Sequence, residues 1–118
     1  MAKIFLSYSR SDFERVQPLA KTLEDEGHSV WWDRRVHAGS EFDAVIEKAL
    51  ADAEFVVVAW SERASRSAWV RDEAAAGRDR HCLVPLTLDG SAPPLGFRQF
   101  QTIDLSRWKG RGHPSQID

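Results

Sequence analysis

Short apolar runs alternate with amphipathic segments along this chain, and that alternation constrains the fold more than any other feature. The runs KIFLSY (3–8), HSVWW (28–32) and EFVVVAW (54–60) have the length and composition of buried strands. Each is followed by a polar or amphipathic segment, and strand–helix–strand units form right-handed crossovers between parallel strands. We therefore expect a parallel sheet with helices on both faces, in which the most apolar run, 54–60, is central.

Three segments are predicted to form the helices. The first, SDFERVQPLAKTLEDEG (11–27), begins with Ser11 and Glu14 at the spacing of a capping box. The second is SEFDAVIEKALADA (40–53), and the third is SRSAWVRDEAAAGRD (65–79). Each carries a stripe of apolar residues that can cover one face of the sheet.

Two more strands are predicted after these helices, CLVPLTL (82–88) and QFQTIDL (99–105). Pro85 lacks the N–H group that a strand donates, so its strand is expected to contain a bulge or to lie towards an edge. Residues 1–108 are expected to form one domain. Residues 109–118 are expected to be a flexible tail or the start of a linker to a missing C-terminal region.

The overall composition argues against several classes of function. A net charge of −2 over 118 residues gives no attraction to nucleic acid or to an anionic membrane. No run approaches the ~18 apolar residues of a membrane span, and the N-terminus has no signal-peptide core. Since the single cysteine, Cys82, leaves no internal disulfide framework, we expect a cytoplasmic protein.

The sequence signatures of several common site types are also missing. Neither the Gly-x-Gly-x-x-Gly of a dinucleotide-binding fold nor the glycine-rich P-loop occurs. The four histidines are scattered without metal-ligand spacing, so neither a metal nor another cofactor is expected. A phospho-acceptor receiver domain shares this element order, but it would need acidic residues after its first strand and an aspartate closing the third. This chain has Ser-Tyr-Ser and Trp-Ser there.

Open parallel sheets bind ligands beyond the carboxyl ends of their strands, which indicates where a site is to be sought. The polar and aromatic side chains predicted there are Tyr8, Ser9, Arg10, Asp33, Arg34, Arg35, Ser61 and Glu62, with Ser67, Trp69 and Glu73 further along.

One carboxylate falls on the apolar face of the third predicted helix. At about 100° per residue, that face consists of Trp69, Val70, Ala74, Ala76 and Gly77. Glu73 lies among them, where an ionised carboxylate is costly unless it gains a partner. It either pairs with Arg10, Arg71 or Arg80 at the rim of the sheet, or it acts as a general base or electrostatic partner for positive charge on a substrate. Trp69 is either a packing aromatic or a flat surface on which a substrate ring stacks.

A resemblance to a known family is carried by four segments: KIFLSYSRSD, GHSVWWDRRVHAGSEF, FVVVAWSERASRSAWVRDEAAAG and LVPLTLDG. In this order and spacing they resemble a Toll/interleukin receptor (TIR) domain of the bacterial type, over about residues 3 to 108. The fold expected is α/β in three layers, a five-stranded parallel sheet in the flavodoxin-like order 2-1-3-4-5 flanked by helices.

The resemblance also implies an activity. In many TIR domains a glutamate four residues after a tryptophan cleaves NAD+ at the nicotinamide–ribose bond, and these positions match Glu73 and Trp69. Glu73 is then catalytic, with NAD+ as substrate rather than cofactor, and Trp69 stacks on nicotinamide or adenine. Arg10 is expected to meet the pyrophosphate. Tyr8 and Ser67 match pocket positions of the family more loosely.

The loop DRRVHAGS (33–40) is expected to serve assembly, because in TIR domains this loop often packs against a neighbouring copy. Arg34, Arg35 and His37 are candidate interface residues, or else solvated loop charges. Asp33 is either structural or substrate-facing. The function expected is an NAD+ glycohydrolase that self-assembles with other TIR domains in bacterial antiphage defence signalling. The alternative is a non-catalytic adaptor that only binds other TIR domains.

Overall fold

The structure is a computed structural model that describes residues 2–32 and 41–108 of the chain. Its strands are β1 (Lys3–Ser7), β2 (Ser29–Trp31), β3 (Phe55–Trp60), β4 (Leu83–Thr87) and β5 (Ile103–Asp104). Its helices are α1 (Phe13–Asp25), α2 (Glu41–Asp52), α3 (Glu62–Ser65) and α4 (Ala68–Asp79). The predicted tail, 109–118, lies outside the described residues. Within the described ranges, no helix is both long enough and apolar enough to cross a membrane.

The five strands form one parallel sheet in the order β2-β1-β3-β4-β5. This confirms the predicted fold class and strand order. β3 lies in the middle, and its residues 56–60 are all buried, as an unbroken apolar run predicts for a strand covered on both faces.

Side chains along the central strands alternate between two faces, and helices cover both. On one face, Val57 of β3 packs in a cluster with Leu19 of α1. On the other, Val56 packs with Ile46 of α2, and Val58 packs in a cluster with residues of α4. The side chains of β1 alternate in the same way, so consecutive residues at its end face different helices.

The predicted capping box at the start of the first helix is wrong. Ser11 lies in a 3₁₀ turn (Arg10–Asp12) that precedes α1, and the N-cap of α1 is Asp12, whose side chain makes no capping bond. The Ser11 hydroxyl shares a hydrogen bond with the Ser9 hydroxyl instead. The side chain of Asp12 instead accepts a hydrogen bond from Ser61, which is distant in the chain, and so it does not cap α1.

The helix predicted over 65–79 is α4, which begins three residues later than expected, and a short helix that was not predicted, α3, precedes it. α3 ends at Ser65 and α4 begins at Ala68, and each has a serine as its N-cap. Ser61 accepts a hydrogen bond from the N–H of Ala64, and Ser67 accepts one from the N–H of Val70. The two caps satisfy donors that a helix start leaves unpaired, which is why the chain begins a new helix at each of them.

Pro85 lies within β4, between β3 and β5, and not in an edge strand. The N–H of Leu88 donates to the carbonyl of Trp60 in β3. On the other side of the strand, the carbonyl of Thr87 accepts from the N–H of Leu105, the residue after β5. Because this direction alternates along a strand, Pro85 faces the β5 side, as Thr87 does. β5 is shorter than the predicted 99–105 and pairs only with residues 86 and 87 of β4. The missing N–H therefore faces a position where the described part of the chain has no strand paired with β4, and β4 lies next to the edge strand β5, towards the edge as expected.

Candidate functional site

Glu73 faces the sheet from α4 and is almost completely buried, with 3% of its surface exposed. The hydroxyl of Ser7 donates a hydrogen bond of 2.7 Å to its Oε1 atom. Ser7 is the last residue of β1, so the carboxylate lies at the edge where parallel strands place their ligands. The structure has the inward orientation that helical periodicity predicts for this side chain.

Gly77 sets how closely α4 approaches the sheet. A Cβ atom at this position would lie 2.7 Å from the Cβ of Val56 in β3, closer than two such atoms can come. Only glycine allows the helix to pack this deeply. Since Glu73 lies one turn before Gly77 on the same side of α4, this close packing brings its carboxylate to the end of β1.

Of the three arginines considered as rim partners of Glu73, Arg80 bonds to another part of the chain. Arg80 donates to the carbonyl oxygens of Leu50 and Ala53, each at 2.7 Å, and so closes the C-terminal end of α2. Arg71 is exposed on α4, and Arg10 is exposed in the turn that follows β1.

Trp69 lies outside the buried face of α4, so its predicted place in the apolar arc is wrong. Its residue surface is 43% exposed. The buried residues of the helix are Val70, Glu73, Ala74 and Gly77. Their common direction is about 90° from that of Trp69 on a helix wheel, so the indole lies on the flank of α4. It is the exposed aromatic surface nearest in sequence to Glu73, one helical turn away.

Tyr8 and Ser67 have structural partners. The side chain of Tyr8 packs on the α1 face, opposite to the face that carries Ser7 and Glu73, and its hydroxyl donates to the carbonyl of Trp32 at 2.7 Å. Ser67 is the N-cap of α4. The structure therefore brings Glu73 and Ser7 together. In the chain, Arg10 lies shortly after Ser7 and Trp69 lies one helical turn before Glu73, whereas the side chain of Tyr8 faces the opposite side of the sheet. The remaining predicted site residues, Asp33, Arg34, Arg35 and His37, lie outside the described residues.

Sequence reasoning missed a second buried carboxylate, that of Asp12. It is 6% exposed and accepts a hydrogen bond of 2.5 Å from the hydroxyl of Ser61, which directly follows β3. The two pairs are reciprocal. Ser7, at the end of β1, donates to the carboxylate of Glu73, which comes after β3 in the chain, and Ser61, which follows β3, donates to the carboxylate of Asp12, which comes after β1. The available signal was the position of Ser61 at a strand end.

Asp89 fixes the same edge of the sheet after β4. Its carboxylate accepts hydrogen bonds from the backbone N–H groups of Glu62 and Ser91, each at 3.0 Å. Partial burial alone would raise the pKa of Asp89, but hydrogen bonds from Ser91 and the Glu62 N–H outweigh it and hold the pKa below its usual value. The ionised carboxylate ties the start of α3 to the end of β4.

No group of three or more His, Cys, Asp or Glu side chains within residues 2–32 and 41–108 is arranged to hold a metal ion. What this edge of the sheet offers is a buried carboxylate, an exposed indole and an exposed guanidinium. This set can stabilise a developing cation, stack on a flat ring and contact an anionic group.

Residues 4–117 match the family model described as TIR domain, which accounts for nearly the whole chain. The chain therefore belongs to the TIR domain family. No curated protein sequence matches it significantly. Its assignment to the bacterial type stays a prediction.

Solved structures of TIR domains share the fold. The TIR domain of the Toll-related receptor TRR-2 from Hydra magnipapillata has a TM-score of 0.78 at 18% identity, over 91% of this chain and 86% of that one. A metazoan TIR-STING receptor from C. gigas in complex with 2′,3′-cGAMP has a TM-score of 0.73 at 22% identity, over 89% of this chain and 35% of that one. The TIR domains of the activated Roq1 resistosome, which recognises the pathogen effector XopQ, have a TM-score of 0.61 at 23% identity, over 74% and 57%. At such identities the likeness shows the fold alone.

Proposed function

We propose that this chain is an NAD+ glycohydrolase that breaks the nicotinamide–ribose bond with the help of Glu73. The observation that supports the proposal is the position of this carboxylate, buried against the sheet and bonded to Ser7 at the carboxyl end of β1. Ligands of parallel sheets bind beyond this edge. The tryptophan and glutamate spacing that the family resemblance associates with NAD+ cleavage occurs here in Trp69 and Glu73.

The proposed reaction needs a carboxylate more than it needs an acid. Nicotinamide is a cationic leaving group in NAD+, so the C1′–N bond breaks with its electron pair moving to the ring nitrogen, and no proton is required. Positive charge then develops on the ribose, and a carboxylate in a dry site stabilises it, as in glycosidases. Water, or a nucleophile within the ADP-ribose itself, adds to C1′ and loses a proton.

Two exposed side chains are proposed to hold the substrate. Trp69 stacks on nicotinamide or adenine, because its indole is not used in the core. Arg10 contacts the pyrophosphate from the turn after β1, where its side chain is exposed. Tyr8 and Ser67 are proposed to support the pocket through their structural bonds rather than to touch the substrate. NAD+ is the substrate, and the reaction needs no cofactor or metal.

Activity is proposed to depend on assembly with other TIR domains, in bacterial antiphage defence signalling. The basic loop residues Arg34, Arg35 and His37 are proposed to lie at the contact between copies, with Asp33 either structural or substrate-facing. The protein is proposed to act in the cytoplasm.

A second candidate function is a non-catalytic adaptor that binds other TIR domains. It is favoured by the hydrogen bond from Ser7, since the fold accommodates the Glu73 carboxylate without any ligand. The exposed Trp69 would then be a docking residue for a partner.

Nicotinamide release from NAD+ separates the two functions, measured at high protein concentration or with a crowding agent. Glu73→Gln keeps the size of the side chain and an acceptor for Ser7 but removes the charge, so release should fall by about 100-fold or more. Asp72→Asn removes an exposed carboxylate from the same helix and should leave release unchanged.

Two outcomes would contradict the proposal. A wild-type protein that stays inert when assembled indicates the adaptor. A Glu73→Gln variant that cleaves NAD+ at the wild-type rate shows that the assignment of Glu73 is wrong. Circular dichroism of each variant establishes that a loss of release is not a loss of fold.

A further inference from the structure

We infer that Ser7 is a positioning residue for the Glu73 carboxylate, holding it ionised and correctly oriented for the ribose. The inference rests on the proposed function, and it concerns a residue with no assigned role. Ser7 has no exposed surface, so it does not itself contact substrate in this structure.

The contact is direct and buried. The hydroxyl of Ser7 lies 2.7 Å from Oε1 of Glu73, and both residues lie on the face of the sheet that α4 covers. An ionised carboxylate only accepts hydrogen bonds, so the serine hydroxyl is the donor. The bond joins residues 66 positions apart in the chain, so it fixes α4 relative to β1 as well as fixing the side chain.

The anchor is rigid because of its place in the sheet. β1 lies between β2 and β3, and Ser7 itself is in register with Val58 of the central strand. A hydroxyl carried by an interior strand varies little in position, whereas one carried by a loop would not constrain its acceptor.

The chemical consequence concerns both charge and direction. A donated hydrogen bond favours the ionised form of a carboxyl group over its neutral form. Only the ionised form stabilises a ribose cation by charge. A hydrogen bond to one oxygen also limits rotation of the carboxylate plane, so the second oxygen keeps a defined direction.

The chain supplies a matched control in Ser61. This serine is also buried, directly follows the central strand β3, and also donates to a buried carboxylate, while it additionally caps α3. Its acceptor is Asp12, on the other face of the sheet from Glu73. Ser61→Ala therefore removes the same kind of bond, together with the cap of α3, and leaves the bond between Ser7 and Glu73 in place.

The experiment compares Ser7→Ala, Ser7→Cys and Ser61→Ala with the wild type by two readouts. The first is the titration of the Glu73 carboxyl carbon, followed by NMR in the absence of NAD+. The second is the pH dependence of kcat and KM for nicotinamide release under assembling conditions.

Ser7→Ala should move the titration midpoint and the acid limb of kcat to higher pH, and should lower kcat about 10-fold with little change in KM. Ser7→Cys, which keeps a weak donor, should shift both in the same direction by less. Ser61→Ala should reduce stability while leaving the Glu73 midpoint and the acid limb where they are. If Ser7→Ala does not fold, Ser7→Cys decides.

An unchanged midpoint in the Ser7 variants overturns the inference, and so does an equal shift in Ser61→Ala. Nicotinamide release that fails in the wild type overturns the proposed function instead, and the NMR titration distinguishes that result because it needs no turnover.

Discussion

Two buried carboxylates are stabilised in the same way at the scale of single residues. Glu73 and Asp12 each accept a hydrogen bond from a serine hydroxyl at the end of a central strand. A hydrogen bond to a charged group contributes about 1.5–3 kcal/mol, which offsets part of the cost of removing a carboxylate from water. Charge can therefore be kept at this edge of the sheet without exposing it.

Asp89 makes part of the stability depend on pH. Its folded-state pKa lies below the ordinary value of 3.8, so its contribution is complete above that value and is lost as pH falls through the folded-state pKa. Asp89→Asn should lower the free energy of unfolding by up to about 1 kcal/mol at neutral pH, since the group is largely exposed. The free energies of unfolding of both proteins, measured with urea, should converge as the pH falls below the folded-state pKa of Asp89. A difference that persists unchanged in acid would contradict this role.

The sequence carried part of this residue-scale information. Helical periodicity placed Glu73 on the buried side because one period governs the whole of α4. The same reasoning misplaced Trp69, since apolarity alone does not say where a buried arc is centred. The position of Ser61 after a strand was a signal for a polar contact at this edge, but its pairing with Asp12 was not predictable, because the two residues lie 49 positions apart and only the folded sheet brings them together.

At the scale of the elements, the position of α4 depends on the absence of a side chain at Gly77. Gly77→Ala would place a Cβ 2.7 Å from the Cβ of Val56, so the helix has to move outward. We expect a loss of about 1–3 kcal/mol in the free energy of unfolding. We also expect a lower kcat for nicotinamide release, because Glu73 moves with the helix away from Ser7.

Ala76→Ser is the control for this prediction, since Ala76 lies on the partly exposed flank of the same helix and the change should cost no more than about 0.5 kcal/mol. Chemical denaturation and steady-state kinetics measure the two effects. If Gly77→Ala matches the control in both, α4 does not need this close approach.

Elements with strong patterns were predictable and their ends were not. The apolar run of β3 identified the central strand, because a strand covered on both faces has no polar alternation. The short helix α3 and the later start of α4 were missed although Ser61 and Ser67 are both good N-caps, since serine also occurs within helices. The strand predicted from residue 99 begins later, because the backbone up to Phe100 forms turns, which composition does not reveal.

At the scale of the whole molecule, catalysis is expected to require neighbours. Specific activity for NAD+ should rise with protein concentration, because the proposed contact residues Arg34, Arg35 and His37 can act only when a second copy is present. Turnover per mole of protein, measured alongside light scattering, tests this.

An excess of Glu73→Gln added to dilute wild type provides the control, since it supplies assembly surfaces without chemistry of its own. It should raise the wild-type specific activity. Constant specific activity over the concentration range in which scattering increases would rule out activation by assembly.

The side of β4 that faces β5 affects how copies of the domain can associate. β5 pairs with only the last two residues of this strand, so its backbone near Pro85 is left without a described partner strand. Unpaired strand edges are templates on which a foreign chain can add itself and begin aggregation. Proline presents no N–H group to an incoming backbone, so growth by strand addition is blocked there. The assembly proposed above would therefore have to use a surface other than this stretch of β4.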